Sequence, residues 1–238
     1  MNKARSKCIP GEGPEWCAVL PRVWRDRDEP ALRTLLERAR ALGFTGVLIG
    51  NLGHLPLVRG LNFHLYGDYG LNVFNSRSLA YLKDKELESA CVSFELRFAQ
   101  IRDLKKVLRA EAIVYGRLPL MITENCLVQN ETGCRLDRQG PCVPEDGPCR
   151  CGQPNVLVDR TGAAFPLLPA YGHRTEIQNS KPLYLADRPE HRRLGLAYAR
   201  LRFTTETAEE CVSVVQNYLD AAPAAGDFTR GLYERGVE

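Results

Sequence analysis

The chain has 238 residues, of which 44% are hydrophobic and 26% are charged, a balance typical of a globular domain. Its net charge of +3 comes from 32 basic and 29 acidic side chains and gives no overall basic footprint of the kind that nucleic-acid-binding domains carry. No uninterrupted apolar run approaches the roughly 18 residues of a membrane span, and the start of the chain lacks a signal-peptide core. The sequence therefore predicts a cytoplasmic protein with no membrane segment.

The first half of the chain alternates predicted strands with predicted helices. Residues 17–24 are typical of a strand, and an amphipathic helix follows, with Pro30 near its start and Gly43 at its end. Further strand regions are predicted at 45–51, 61–76, 89–96 and 110–121. This alternation is typical of right-handed parallel β/α units.

The pattern changes after Met121. A cysteine-rich stretch is followed by a predicted hairpin at 155–168 and a predicted strand at 194–203. The last helix is predicted to begin with a capping box of Thr207 and Glu210. Its predicted buried face comprises Cys211, Val214, Val215 and Tyr218.

Five or six β/α units are visible, which is fewer than a closed eight-stranded barrel needs. The predicted fold class is therefore α/β, a TIM-barrel-like (β/α) fold that is incomplete and carries a cysteine-rich loop insertion. Either the sheet is open, or the missing strands belong to another chain or to an N-terminal region outside this sequence.

Five of the nine cysteines lie in "ENCLVQNETGCRLDRQGPCVPEDGPCRCG", residues 124–152. They are Cys126, Cys134, Cys142, Cys149 and Cys151. Clustered thiols in a reducing compartment more often bind metal or react than form disulfides. Their spacing does not match the paired knuckles of a zinc ribbon, yet a sulfur-rich loop suits zinc or an iron–sulfur cluster. His173 is a candidate distant ligand, and a disulfide-prone insertion without a ligand is the alternative.

Polar residues follow several predicted strands, at the edge where β/α folds gather their chemistry. The candidates for binding a substrate are Asp68, Asn72, Asn75, Glu95, Tyr115 and Arg117. Arg117 could bind a carboxylate or phosphate with two hydrogen bonds, or form a buried ion pair with Glu95. For Asn72 and Asn75, amides that fix backbone carbonyls are the alternative. Asn51, His54 and Glu124 are also polar residues at strand ends.

Several stretches resemble, in order, one known family. They are "VLIGNLGHL", "GDYGLNVFNS", "VSFEL", "YGRLPLMITENC", "DRTGAAFPL", "HRTEIQNSKPLYLADR", "LRFTTET" and "FTRGLYERGV". Together they resemble the C-terminal module of the long collagenase-like peptidases, peptidase family U32. The resemblance implies a barrel-like module over 17–238, a tail at 1–16 and a metal-binding insertion at 124–175.

The resemblance also implies a cofactor. Several relatives carry a 4Fe-4S cluster on four cysteines: one in the "ENC" motif, one or two in the following loop, and one in a "GCRTEI"-like motif. Matched motif by motif, these become Cys126, then Cys134 with the Cys149/Cys151 pair, then position 173. This chain departs from the pattern, because position 173 is His173. Histidine can ligate iron in place of cysteine, and zinc is the alternative metal.

The better-understood relatives support oxygen-independent or prephenate-dependent hydroxylation of transfer RNA, ribosomal RNA or the ubiquinone ring. The resemblance thus implies an iron–sulfur module that supports hydroxylation of RNA or an aromatic small molecule. One alternative is a collagenase-like peptidase acting on protein, in which Cys126 and His173 would form a thiolate–imidazole pair. Another is a non-catalytic subunit that a second chain completes, because long relatives also carry an N-terminal barrel module and a middle domain.

Overall fold

A computed structural model describes residues 15–132 and 150–237. The chain divides into two compact units. Unit 1 comprises Met1–Ser93 and Lys105–Ala110, and unit 2 comprises Phe94–Leu104 and Glu111–Glu238. No helix in the described part of the chain is long and apolar enough to cross a membrane.

Unit 1 is built from parallel strands with helices between them. The strands are β1 (Cys17–Val19), β2 (Gly46–Ile49), β3 (His64–Gly67) and β4 (Ser89–Cys91). The intervening helices are α1 (Glu29–Ala41), α2 (Leu55–Val58) and α3 (Ser76–Asp84). β1 pairs with β2, β2 with β3 and β3 with β4, all in parallel. The predicted β/α units are therefore confirmed here, and their geometry is that of part of a barrel.

The core of unit 1 follows from the apolar residues of these elements. Val47 and Ile49 on β2 are fully buried, as strands buried on both faces require. Pro30 lies in the first turn of α1, where its missing N–H costs no hydrogen bond. Leu32 and Leu36 form the buried face of that helix.

Unit 2 begins with α4 (Phe98–Asp103) and most of β5 (Arg109–Gly116). The elements that follow are β6 (Pro119–Thr123), α5 (Leu127–Thr132), β7 (Asn155–Val158), β8 (Ala164–Ala170), β9 (Arg174–Gln178), β10 (Leu183–Tyr184), β11 (Tyr198–Leu201) and α6 (Ala208–Asp220). β5 pairs with β10 in antiparallel and with β11 in parallel. β6, β9, β8 and β7, in that order, form a separate antiparallel sheet.

The single strand predicted at 110–121 is in fact two strands in two sheets. The chain turns at Gly116, whose φ of +116° favours glycine. A side chain there would collide with the backbone carbonyl of Arg202. The close approach of two chain segments therefore ends β5 and starts β6.

The other predictions for unit 2 are largely confirmed. β7 and β8 form the predicted hairpin, whose turn is held by the Asp159 carboxylate accepting from Thr161 N and Ala163 N. The capping box of α6 is present, with Glu210 N donating to Thr207 Oγ1 and Thr207 N donating to Glu210 Oε2. The predicted buried face of α6 is wrong at Val215, which is 42% exposed.

Candidate functional site

Cys126 lies in the turn between β6 and α5. Its side chain is 8% exposed and packs with Val128 and Leu167. Leu127 N donates to Thr175 Oγ1 over 3.0 Å, which fastens the start of α5 to β9. The predicted ligand is thus a buried thiol on a turn held against the antiparallel sheet.

His173 lies in the turn of the β8–β9 hairpin. Ala170 pairs with Arg174 across this hairpin, and Thr123 pairs with Thr175 between β6 and β9. The end of β6 and the start of β9 therefore meet at one end of the sheet, which brings the segments of Cys126 and His173 together. His173 has a φ of +59°, a left-handed conformation that costs a residue with a side chain about 1 kcal/mol.

Cys151 lies in a short 3₁₀ turn, Arg150–Gly152, just before β7. Asn155 Nδ2 donates to Arg150 O at 2.8 Å and to Gln153 O at 2.7 Å, which joins this turn to the strand. Asn155 pairs with Leu167 on β8, which continues to the His173 hairpin turn. The backbone of Cys151 thus reaches the same sheet end as the other two.

The remaining predicted ligands, Cys134 and Cys149, lie outside the described residues, as do Cys142 and the side chain of Cys151. Within 15–132 and 150–237, no three His, Cys, Asp or Glu side chains lie close enough to hold a metal ion. The donor chemistry nevertheless fits a soft metal, because a buried thiol and an imidazole segment share one sheet end. Cys126 and His173 would then supply two ligands, and the loop cysteines would supply the others.

A buried arginine joins the two ligand turns. Arg174 donates from Nε and Nη2 to Glu124 Oε2, at 3.1 and 2.9 Å. Its Nη1 donates to the backbone carbonyl of Tyr171 at 3.0 Å. Glu124 precedes Cys126 by two residues, and Tyr171 precedes His173 by two. Sequence reasoning missed this pair; the one signal for it was the arginine directly after a candidate ligand.

The polar strand-end residues of unit 1 serve the backbone. Asn75 Oδ1 accepts from Arg77 N and Ser78 N, both at 3.0 Å, and so caps α3. Asp68 Oδ1 accepts from Tyr69 N at 2.9 Å, and Asn51 Oδ1 accepts from Gly53 N at 2.8 Å. Asn72 adopts a left-handed conformation that ends a 3₁₀ turn. For Asn75 the fixed backbone groups are amides rather than the carbonyls that sequence reasoning named, whereas Asn51 Nδ2 also donates to Arg22 O at 3.3 Å.

His54 is a buried polar residue at the same strand ends. Its Nε2 lies 3.1 Å from Pro21 O, and its ring stacks on Trp24 with centroids 5.9 Å apart. Its Nδ1 has no hydrogen-bond partner among the described residues. Burial lowers the pKa of His54, and the bond to the Pro21 carbonyl offsets this only in part. The imidazole is therefore neutral at physiological pH.

The candidates of unit 2 also make internal contacts. Tyr115 OH donates to Glu206 Oε1 at 3.2 Å, and burial raises the pKa of Tyr115. Arg117 Nη1 donates to the backbone carbonyls of Asn179, at 3.1 Å, and of Ser180. Glu95 is half-buried in the turn before α4. The Arg117 guanidinium thus fastens the segment after β9, a role that sequence reasoning did not consider.

A second polar network in unit 2 was also missed. Arg202 donates from Nη1 to Gln178 Oε1 at 2.6 Å and from Nη2 to Glu176 Oε1 at 2.9 Å. Gln178 Nε2 donates to the same Glu176 oxygen at 2.8 Å. Glu176 and Gln178 are two residues apart and therefore lie on the same face of β9. This network gives part of the "HRTEIQ" motif a structural role.

Comparison with known proteins adds one finding. The model of peptidase family U32 matches residues 12–156, which is more than half of the chain. The matched part ends within β7, so it includes Cys126 and the cysteine-rich stretch but stops before His173. No curated protein shows a significant match. The chain therefore belongs to peptidase family U32.

Proposed function

We propose that this protein is an iron–sulfur module that supports hydroxylation of RNA or of an aromatic small molecule. The observation that carries the proposal is the shared sheet end of Cys126, Cys151 and His173, whose segments come from three separate connections. A hairpin stack that served stability alone would have no need to gather a buried thiol, a second cysteine and a strained histidine at one end. Membership of the family and the resemblance of the surrounding motifs support the same function.

Each residue has a defined part in this proposal. Cys126 and His173 would hold the metal together with cysteines chosen from Cys134, Cys149 and Cys151. When bound, a 4Fe-4S cluster supplies one-electron transfer. A histidine ligand in place of cysteine raises the reduction potential of such a centre. Val128 and Leu167 pack with Cys126 in one buried apolar cluster, which would limit the access of water to a bound metal.

Metal analysis tests the proposal. The protein is purified under anaerobic conditions and analysed for iron, acid-labile sulfide and zinc, and its visible absorption spectrum is recorded. We expect iron and sulfide in about equal amounts and a brown protein. Zinc without iron would replace the cluster with a structural metal, and a colourless protein free of both metals would contradict the proposal.

The peptidase alternative is tested in the same preparation. The segments of Cys126 and His173 meet, as a thiolate–imidazole pair would require. A nucleophile also has to be accessible to its substrate. With 8% exposure among apolar side chains, Cys126 is poorly placed to attack a peptide bond. Cleavage of a gelatin-like substrate by metal-free protein, lost in Cys126→Ser, would establish the peptidase instead.

A second chain is a further part of the proposal, and an open sheet edge in unit 1 supports it. β1 pairs with β2 and, among the described residues, with no other strand. Trp16 and Val19 beside this edge are exposed. Exposed apolar residues at an unpaired strand are typical of a surface that another segment covers. Solubility that improves on co-expression with a neighbouring gene product would support a partner, and a fully soluble monomer would argue against it.

A further inference from the structure

We infer that Arg174 is a positioning residue that ties the turn before Cys126 to the turn that holds His173. It thereby fixes the distance between the two ligand segments before any metal binds. The inference rests on the proposed function for its purpose, but its contacts are independent of any metal.

The contacts of Arg174 span both turns. Its Nε and Nη2 donate to Glu124 Oε2, at 3.1 and 2.9 Å, and its Nη1 donates to Tyr171 O at 3.0 Å. Glu124 and Arg174 are 50 residues apart in the chain. One guanidinium therefore connects the exit of β6 with the β8–β9 turn.

The burial of this pair explains why the residue is an arginine. The Arg174 side chain is 5% exposed, whereas Glu124 is 60% exposed. A buried cation has to be paired and hydrogen-bonded, and the planar guanidinium reaches a carboxylate and a carbonyl at once. A lysine has a single side-chain nitrogen and no planar guanidinium. It could not hold both turns as firmly as arginine does.

The hairpin turn is shaped around the guanidinium. Gly172 has a φ of +73°, and a Cβ at this position would lie 2.6 Å from Arg174 Nη1. Glycine at 172 thus admits both the left-handed backbone and the arginine beneath it. The next residue, His173, also has a positive φ. Two consecutive left-handed residues therefore form the turn, and His173 lies in it at the end of the sheet.

Side-chain hydrogen bonds add to the strand pairing beside the two turns. The ladder of β6 and β9 pairs Thr123 with Thr175 and ends there. Beyond it, Leu127 N donates to Thr175 Oγ1 at 3.0 Å, and Thr123 Oγ1 donates to Asn125 O at 2.6 Å. These bonds lie on the Cys126 side and at β9, and the Arg174 clamp adds a contact to the carbonyl of Tyr171 in the His173 turn.

The experiment compares two variants of the clamp with a matched control in the full-length protein. Arg174→Lys keeps the charge and removes the fork, and Glu124→Gln weakens the pair at an exposed position that leaves the fold intact. The control is Arg230→Lys, because Arg230 makes the same kind of contacts elsewhere in unit 2. It donates to Asp187 at 2.6 and 2.7 Å and to the Tyr184 carbonyl at 2.7 Å.

Two readouts are taken from each protein. The first is the rate at which iodoacetamide labels Cys126 in metal-free protein, followed by mass spectrometry of the peptide that contains it. The second is the amount of iron, and separately of zinc, that is retained after anaerobic loading and exposure to a chelator. We expect Cys126 labelling to accelerate about tenfold in Arg174→Lys and several-fold in Glu124→Gln, since both open the turn locally. Metal retention should fall in the same order.

The outcomes separate this inference from the proposed function. Faster labelling in both clamp variants, with Arg230→Lys like the wild type, supports the positioning role even if the wild type binds no metal. In that case the proposed function alone fails. Labelling that stays at the wild-type rate, or that rises equally in Arg230→Lys, overturns the positioning role whatever the metal content.

Discussion

Two sets of strand ends in this molecule carry similar polar residues and use them differently. In unit 1, Asn51, Asp68 and Asn75 accept hydrogen bonds from backbone N–H groups at the starts of short helical segments. At the end of the antiparallel sheet in unit 2, a buried thiol and a left-handed histidine are joined through a buried arginine. The first arrangement is explained by the needs of the chain itself. The second brings residues from three separate connections to one sheet end, and the proposed metal site rests on that arrangement.

The largest expected effect is on metal binding. If it is not seen, the sheet end of unit 2 no longer differs in function from the strand ends of unit 1. Cys126→Ser should lower bound iron per chain by roughly tenfold or more, because a hydroxyl replaces a thiolate ligand. Iron and sulfide analysis of anaerobically loaded protein measures this. Cys211→Ser on α6 is the matched control, since Cys211 is a partly exposed cysteine of the same unit. Equal iron in both variants would remove Cys126 from the ligand set.

The next effect tests whether the polar residues of unit 1 are caps. Asn75→Ala removes the acceptor for two N–H groups of α3 and should lower the free energy of unfolding by about 1 kcal/mol. Urea unfolding measures the loss, and Asn75→Asp should restore most of it. Bound iron should not change. A variant of wild-type stability that fails to bind substrate would instead make Asn75 a binding residue.

A smaller effect of opposite sign separates function from folding at position 173. His173→Gly should raise the free energy of unfolding by about 0.5–1 kcal/mol, because glycine adopts the left-handed backbone without strain. The same change should lower metal retention, since the imidazole is lost. Thermal unfolding and metal analysis are made on the same preparation. If both stability and metal retention are unchanged, His173 is neither strained nor a ligand.

The sequence predicts local features of this fold well and distant contacts poorly. The amphipathic helix α1, the capping box of Thr207 and Glu210 and the β7–β8 hairpin all depend on neighbouring residues, and the structure confirms them. Leu35 and Leu42, which the spacing predicts to share the apolar face of α1, are exposed instead. The division of 110–121 into two strands depends on Gly116 meeting the carbonyl of Arg202, a contact that no local pattern records.

The candidate site shows the same limit. The cysteine-rich stretch is visible in the composition, and so is His173 as a distant candidate. The pair of Arg174 and Glu124 exists only because β6 and β9 are aligned with Thr123 opposite Thr175. Strand register is set by packing and not by the residues that happen to face each other at the ends. The cap role of Asn75 was available from sequence, because Asn directly before a helix is a preferred N-cap.

The smallest expected effect is a gradual loss of stability on mild acidification, and it reaches both units. Burial lowers the pKa of His54 in unit 1 and of His191 in unit 2, with bonds to the carbonyls of Pro21 and Arg188 offsetting part of each shift. A lowered pKa in the folded state means that the unfolded chain binds protons more readily. The stability that comes from keeping these two histidines neutral is therefore fully present above their unfolded pKa of 6.5. It is lost as the pH falls below that value.

Urea unfolding at about pH 7.5 and about pH 5.5, on either side of the ordinary histidine pKa, measures this slope. His54→Phe and His191→Phe should each flatten it, whatever they do to stability at the higher pH, because each removes one group that the folded state keeps neutral. His54 has the stronger reason to contribute, since its Nδ1 has no partner among the described residues and would have to accept a proton inside the core. A slope unchanged in His54→Phe would mean that folding does not lower the pKa of His54, which would contradict this prediction for unit 1. The slope would then arise in unit 2, where His191 is the histidine whose pKa burial lowers.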